Sequence, residues 1–266
     1  MKESLRGVFP WLAASFVAGG MALGSAEEKS VEVRETDGAV LLELFTSEGC
    51  SSCPPADALL AQLGALAEAP VIPLSFHVDY WDGLGWKDPY SSRAYTRRQY
   101  DYSGCLEGRS VYTPQLVVDG AVGFVGSDRA RALAEIESAS VKSKVAIVLE
   151  AASAPQLDSS EIAIEVRARV VDAESSVEMF LALTEDGLAS DVTRGENKGR
   201  RLTHAGVVRW MRSLGTWGEA SEKVVSVPLE ENWTKRRLNL VAWLQERSCG
   251  RVVGARSIAL GTLQPP

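Results

Sequence analysis

Basic charge is scarce in this 266-residue chain: 28 Lys and Arg stand against 35 Asp and Glu, a formal net charge of −7. That balance makes nucleic acid and anionic membrane surfaces poor partners. Long apolar runs are scarcer still. Beyond the first two dozen residues no stretch is long and apolar enough to span a bilayer. Internal repeats and low-complexity tracts are absent, which leaves ordinary globular domains. Cysteine is limited to four residues, Cys50, Cys53, Cys105 and Cys249. Four cysteines allow three pairings, and the sequence does not choose among them.

The one long apolar run is N-terminal. Lys2 and Arg6 supply a positive start, Val8 to Leu23 an apolar middle, and Gly24-Ser25-Ala26 a small-residue site ahead of Glu27-Glu28-Lys29. The pattern predicts a secretory signal over 1–26 and a mature chain from Glu27. Pro10, Gly19 and Gly20 interrupt the run and argue against a permanent anchor. Removing the segment takes away a net charge of +1 and leaves −8. The expected location is periplasmic or secreted, where disulfides persist. About 240 residues then remain, enough for one large or two ordinary domains.

The chain is organised around Ala39 to Leu63. Val40 to Phe45 has strand length, and Ala58, Leu59, Leu60, Leu63 and Leu66 recur at helical spacing. At the joint, Cys50 and Cys53 are separated by Ser51 and Ser52. On a first helical turn their sulfurs share a face and can pair. The unpaired N–H groups at a helix start favour a thiolate, so Cys50, the outer residue, is the expected nucleophile and the shielded Cys53 the resolving thiol. Pro54 and Pro55 suit a first turn. Glu48 works the other way, because its charge raises a neighbouring thiol's pKa. A structural disulfide and half of a metal site are the alternatives.

Further along, Val71 to Asp79 reads as a strand with an irregular start at Pro73, Tyr80 to Pro89 as an aromatic loop, and Tyr90 to Tyr102 as a helix. Thr113-Pro114 precedes a strand at Gln115–Val118, Asp119-Gly120 marks a two-residue hairpin, and Ala121 to Val125 returns. Ser127 is expected to cap a helix through Ile136. The order is β-α-β-α-β-β-α.

Strand, CxxC at a helix start, a later Thr-Pro leading into a hairpin and a closing helix together resemble the thioredoxin fold over roughly Ala39 to Ala139. The segments ELFTSEGCSSCPPAD, SFHVDYWD, SVYTPQLVVDG and GENKGRRLTHAGVVRW resemble the bacterial exported family catalogued as domain of unknown function 1223. That resemblance implies a secreted thioredoxin-like protein. It makes Cys50 and Cys53 the redox pair and Pro114 the cis-proline facing it, with the Thr113 backbone free to pair with a substrate strand. Two departures stand out. The acid that thioredoxins carry six residues before the first cysteine is Leu44 here, with Glu43 on the opposite strand face, and the spacer is Ser-Ser.

His77 and Asp79 fall at the C-terminal end of a predicted parallel strand, where α/β sheets place their sites. His77 is a candidate proton donor or acceptor for the Cys50 sulfur, with Asp79 or Asp82 holding its ring; a structurally satisfied histidine is the alternative. Cys50, Cys53 and His77 would also suit copper(I) or zinc, although a fourth ligand is lacking.

From Lys144 the texture changes. Val145–Leu149, Glu161–Val171, Val177–Thr184, Val224–Leu229 and Leu238–Gln245 read as strands of an antiparallel sandwich. The expected division is therefore a thioredoxin-like domain over 27–141 and a β-sandwich over 142–266. Arg194 to Arg201 is a polar, Gly-punctuated loop that is either a solvated connection or, over Gly195 to Arg201, the link that holds the second domain over the redox site as a client or partner platform. His204 reads as structural. Trp210, Trp217, Trp233 and Trp243 suit a core or a recognition surface, and Cys105 with Cys249 is an attractive tie between the two regions.

Together these features predict an exported thiol–disulfide oxidoreductase of α/β thioredoxin-like fold followed by a β-sandwich, with Cys50, Cys53, Thr113, Pro114 and His77 as its site. No cofactor and no resident metal are expected. The expected partners are exported protein substrates or a redox partner. The alternatives are a binding or assembly module with a structural disulfide, and a copper- or zinc-binding thioredoxin-like protein.

Overall fold

The computed structural model describes residues 39–66, 70–106, 109–152, 159–169, 176–218, 220–247 and 250–263. The expected signal segment 1–26 and Cys249 lie outside them, while Cys105 is disulfide-bonded. The described residues all fall in one compact unit. Among them no helix is long and apolar enough to cross a membrane.

The architecture is mixed α/β, with one large sheet and three α-helices among the described residues. The N-terminal part runs β1 (Val40–Thr46), α1 (Pro54–Gly64), β2 (Val71–His77), α2 (Arg93–Ser103), β3 (Gln115–Val118), β4 (Val122–Val125) and α3 (Arg129–Ser140). The remainder runs β5 (Ile147–Ala151), β6 (Glu161–Arg169), β7 (Val177–Glu185), β8 (Leu188–Asp191), β9 (Arg201–His204), β10 (Val207–Trp217), β11 (Ala220–Pro228), β12 (Leu238–Glu246) and β13 (Val252–Ala259). Strands β13-β12-β7-β10-β2-β1-β3-β4 form one eight-stranded sheet; β11-β6-β5 and β8-β9 form two smaller ones.

Strand β1 is an unbroken apolar run because both of its faces are covered. Val40, Leu42 and Leu44 pack against Ala56, Leu60 and Leu63 of α1 and Ala132 and Ile136 of α3. Leu41 and Phe45 point the other way, toward Phe76 and toward Tyr95 and Tyr102 of α2. Strands β1 and β2 are parallel, and β3 runs antiparallel to both β1 and β4. The β3–β4 connection spans three residues, Asp119–Ala121, rather than the two expected: Val118 pairs with Val122, Ala121 N–H donates to Val118 O at 3.0 Å, and φ is positive at Asp119 (46°) and Gly120 (64°). The cap of α3 is Asp128, whose side chain accepts from Arg131 N–H at 3.0 Å, rather than Ser127.

The expected boundary near 141 falls between α3 and β5, and one sheet crosses it. Val207 of β10 pairs with Ser75 of β2, and Ser75 N–H donates to Gly206 O at 2.8 Å. Gly206 has φ 62°, and a Cβ there would lie 2.4 Å from Pro73 O, so only glycine lets the strands meet. The sequence pattern missed β10 because Arg209, Arg212 and Gly215 interrupt its alternation. Farther out, Met179, Leu181 and Leu183 of β7 and Leu240, Ala242 and Leu244 of β12 share a core with β5, β6 and β11. Trp217, Trp233 and Trp243 are buried and Trp210 packs on that core, so the tryptophans belong to the interior.

Candidate functional site

Cys50 and Cys53 form a disulfide with Cα atoms 5.4 Å apart. The loop that carries them turns tightly: Cys50 N–H donates to Ser47 O at 3.1 Å and Cys53 N–H to Cys50 O at 3.2 Å. Helix α1 begins at Pro54 with Cys53 as its N-cap, so Cys50 lies ahead of the helix rather than in its first turn. Exposure differs from expectation as well. Both cysteines are 0% exposed, while Ser51 and Ser52 between them are exposed. The loop is packed from two directions. A Cβ on Gly49 would lie 3.1 Å from Trp81 Cβ, and the carbonyls of Glu48 and Cys50 each accept from Asn197 Nδ2 at 2.9 Å.

Near this loop sits a buried histidine–carboxylate cluster. His77, at the end of β2, holds Asp88 through Nδ1 to Oδ2 at 2.7 Å. The aromatic loop folds back through a tight turn at Asp82–Leu84, and this brings Asp88 to the ring. The expected ring partners are engaged elsewhere: Asp79 accepts from Thr96 Oγ1, and Asp82 accepts from Asp88 N–H and the Ser91 hydroxyl. Asp88 also accepts from the N–H groups of Glu48 and Tyr90, at 2.8 and 2.9 Å. His204 of β9 lies edge-on to His77, with ring centroids 4.7 Å apart, and its Nε2 meets Glu48 Oε1 at 3.0 Å. Glu48 Oε2 accepts from the Trp86 indole at 2.8 Å. Asp57 completes the group, with Oδ2 3.9 Å from His204 Nδ1.

Each histidine thus has a carboxylate on one ring nitrogen. The other nitrogens, His77 Nε2 and His204 Nδ1, and Asp57 Oδ1 are buried without a hydrogen-bond partner among the described residues. Burial holds the Asp57 carboxyl above its ordinary value against the lowering pull of His204 and His77. Burial also pushes His77 toward its neutral form, but Asp88, Asp57 and Glu48 outweigh it, and the His77 pKa is raised. For Asp88, burial is outweighed by the His77 charge and by hydrogen bonds from His77, Glu48 and Tyr90, and its pKa is lowered.

The Thr113–Pro114 peptide bond is cis, and Pro114 is buried beside half-buried Thr113. Trp81 connects this corner with the cysteine loop: its Cβ flanks Gly49, and its indole N–H donates to Thr113 Oγ1 at 2.8 Å. With the two sulfurs bonded to each other, Cys50 and Cys53 present no thiolate to a metal, and His77 Nδ1 is taken by Asp88. Among the described residues, no group of three or more His, Cys, Asp and Glu side chains is arranged to hold a metal ion.

Sequence reasoning did not anticipate the parts played by Asp57, Asp88, Glu196, Asn197 and His204. Usable signals were His204, as one of just two histidines in the chain, and the polar Gly-punctuated loop that contains Glu196 and Asn197. The polar loop reaches the cysteines through Glu196 and Asn197, not through its basic side chains. Arg201 pairs with Asp191, and Arg200 donates to Asn197 Oδ1.

These observations define a mixed α/β protein whose CxxC disulfide is buried beside a histidine–carboxylate cluster. The chain belongs to the family described as "Protein of unknown function (DUF1223)", which matches residues 41–245. It is similar to the crystal structure of protein AGR_C_4864 from Agrobacterium tumefaciens, at 26% identity and TM-score 0.65, covering 85% of this chain and 96% of that one. A weaker similarity, at 12% identity and TM-score 0.28, is to a domain of the outer membrane lipoprotein Omp28 from Porphyromonas gingivalis, covering 46% of this chain and 90% of that one. No curated protein matches.

Proposed function

We propose that the protein is an exported thiol–disulfide oxidoreductase in which a thioredoxin-like unit is extended by a β-sandwich. The strand order β2-β1-β3-β4, with β1 and β2 parallel and the CxxC leading into α1, supports the thioredoxin-like part. The core shared by β7 and β12 with β5, β6 and β11 supports the sandwich. Export to the periplasm or beyond rests on the N-terminal pattern of residues 1–26.

In the reducing direction, the Cys50 thiolate attacks a substrate disulfide, forms a mixed disulfide and expels one substrate thiolate. Cys53 then loses its proton and attacks Cys50 Sγ, which releases the second substrate thiolate. The substrate gains two electrons and two protons, and the pair ends oxidised. The reverse sequence oxidises a substrate dithiol.

Asp57 carries this reading. It follows Cys53 by four residues, its N–H donates to Cys53 O at 3.1 Å, and residues so spaced share a helix face. A buried carboxyl with a raised pKa one turn from the resolving sulfur suits the proton transfer that the second step requires. His77, held by Asp88, is the next group able to carry the proton. The residues Thr113 and Pro114 would border the substrate.

One observation favours a second reading, a structural disulfide in a binding or assembly module: both sulfurs are fully buried. The equilibrium reduction potential separates the two. The redox reading expects a value in the range of about −120 to −270 mV, and a value below about −300 mV would establish the structural one. In cells, Cys53→Ala should accumulate mixed disulfides with exported proteins, and Cys50→Ala should not.

A further inference from the structure

We propose that Gly195–Gly199 is a gate over the Cys50–Cys53 disulfide, pinned shut by Asn197, so that a thiol reaches the sulfurs only when this segment lifts. Its role as regulation rests on the redox reading above; the gate itself rests on the contacts of the loop.

The loop lies between β8 and β9, far from the cysteines in sequence. Residues 193–201 are exposed with one exception, Asn197, which is 0% exposed. A lone buried amide in an exposed loop needs partners, and Asn197 has them. Its Nδ2 group donates to Glu48 O and Cys50 O, at 2.9 Å each, and its Oδ1 accepts from Arg200 Nη1 at 2.9 Å. Beside it, Glu196 Oε2 accepts the N–H of Ser51, the first of the two residues between the half-cystines, at 3.0 Å. The loop therefore grips the CxxC backbone on both sides of Cys50.

The same segment is built to move as a unit. It closes on itself through Lys198 N–H to Gly195 O at 3.2 Å, and Gly199 N–H to Val192 O at 2.7 Å with Val192 N–H to Arg200 O at 2.9 Å joins its base to buried Val192, the pivot about which it would lift. Its ends are Gly195 and Gly199, with φ 72° and 82°, the conformation that glycine adopts most readily. Its hold on the cysteine loop is polar, with no large apolar side chain among residues 194–201. A segment held by three hydrogen bonds, one exposed and two buried, opens locally at a free energy well below global unfolding. Ser51 and Ser52 already face solvent, so lifting the segment clears an existing edge rather than breaking a core.

The test is the rate at which dithiothreitol reduces the Cys50–Cys53 bond in the full chain. The dithiol becomes a cyclic disulfide, and its two electrons and two protons pass to the cysteines. Progress is read by alkylation and digestion, weighing the peptide that carries Cys50 and Cys53, so that reduction of the separate Cys105 disulfide does not enter. Asn197→Ala removes two hydrogen bonds across the gate and should raise the rate about tenfold or more. Glu196→Gln, at an exposed position, weakens one contact and should raise it about two- to threefold. Arg194→Ala, at an exposed position of the same loop just outside Gly195–Gly199, should leave the rate unchanged. A folded Asn197→Ala protein reduced within twofold of the wild-type rate would overturn the gate. If that variant does not fold, an unchanged rate for Glu196→Gln would overturn it instead. The equilibrium potential is a separate measurement, so the gate and the redox reading can fail independently.

Discussion

Two buried ionic clusters flank the same strand, and they are finished differently. Glu43, in the middle of β1, is bound by Arg98 Nε and by the Tyr102 hydroxyl; Arg98 reaches on to Gln245, and Gln245 returns to Tyr102. The guanidinium lies over the rings of Phe76, Tyr102, Phe180 and Trp243 at 5.1–5.7 Å. Both carboxylate oxygens, the phenol and the amide are engaged, so each charged group is met, while the neutral Trp243 indole N–H has no partner among the described residues. The cluster past the end of β1, around Glu48, His77 and His204, instead keeps buried ring nitrogens and a carboxylate oxygen unpartnered among the described residues. Polar capacity left unspent in a desolvated place is costly. The saturated cluster is scaffold; the unsaturated one lies beside the disulfide, where the redox reading requires a proton to travel.

The largest effect should come from breaking the scaffold. Arg98→Met leaves Glu43 buried without its cation and should cost about 3–5 kcal/mol in urea unfolding of the oxidised protein. Adding Glu43→Leu should recover most of that loss, because the uncompensated charge is then gone. Neither change should move the potential of the Cys50–Cys53 pair. A shifted potential would show that the two clusters are coupled and that the contrast between them is false.

The next effect is in the second cluster and depends on pH. Asp88→Asn removes the charge that supports His77 and should destabilise by about 2–3 kcal/mol near pH 5. His77 has a raised pKa when folded, so its stabilising share is full below its ordinary value of 6.5 and fades as pH rises through the folded value. Asp88 has a lowered pKa, so its share is full above 3.8 and fades as pH falls through the folded value. The penalty of Asp88→Asn should therefore be greatest between about pH 4 and 6.5 and smaller in alkaline solution. A penalty independent of pH would mean that the pair is not ionised.

Local chemistry made the first half of the fold legible. The run Val40–Phe45, the Cys-x-x-Cys-Pro-Pro joint, Asp119-Gly120 and Thr113-Pro114 each act within a few residues of themselves, and the order β-α-β-α-β-β-α follows from them. What was hidden depends on contacts between distant parts of the chain. Strand β10 joins the large sheet through Gly206 and Val207, and nothing in its interrupted pattern announces a partner more than a hundred residues upstream. The site was half legible for the same reason. Cys50, Cys53 and His77 lie at sequence positions that suggest a site, whereas Asn197 and His204 reach it from β8–β9, and Asp88 reaches His77 only because an aromatic loop folds back. Burial of Cys50 could not be read from the cysteine segment, because part of what surrounds that loop comes from residue 197.

Asp57 gives a subtler effect, with two signs. Its pKa is raised by burial, so its contribution to stability is complete below 3.8 and is lost as pH rises through the folded value. Asp57→Asn should thus be more stabilising, or less harmful, at pH 7 than at pH 4. Under the redox reading the same change should slow the step in which Cys53 is deprotonated and flatten its pH dependence, which stopped-flow mixing with a disulfide substrate would follow. Gain of stability with an unaltered pH–rate profile would remove Asp57 from proton transfer.

The smallest expected effect probes how much of the second cluster is merely structural. The Trp86 indole donates to Glu48 Oε2, and its Cβ is the surface on which Gly195 rests. Trp86→Phe keeps an aromatic ring and deletes only the donor. Trp86 is half-buried, so water can replace the lost hydrogen bond, and the cost should be about 1 kcal/mol. For a chain of this size that corresponds to a fall in Tm of roughly 2–4 °C. The reduction rate of the disulfide should stay within twofold of wild type, because Asn197 and His204 still hold their partners around Glu48. A loss as large as that of Arg98→Met would place Trp86 and Glu48 in a saturated scaffold like that of Glu43, and the distinction between the two clusters would then reduce to His77, His204 and Asp57 alone.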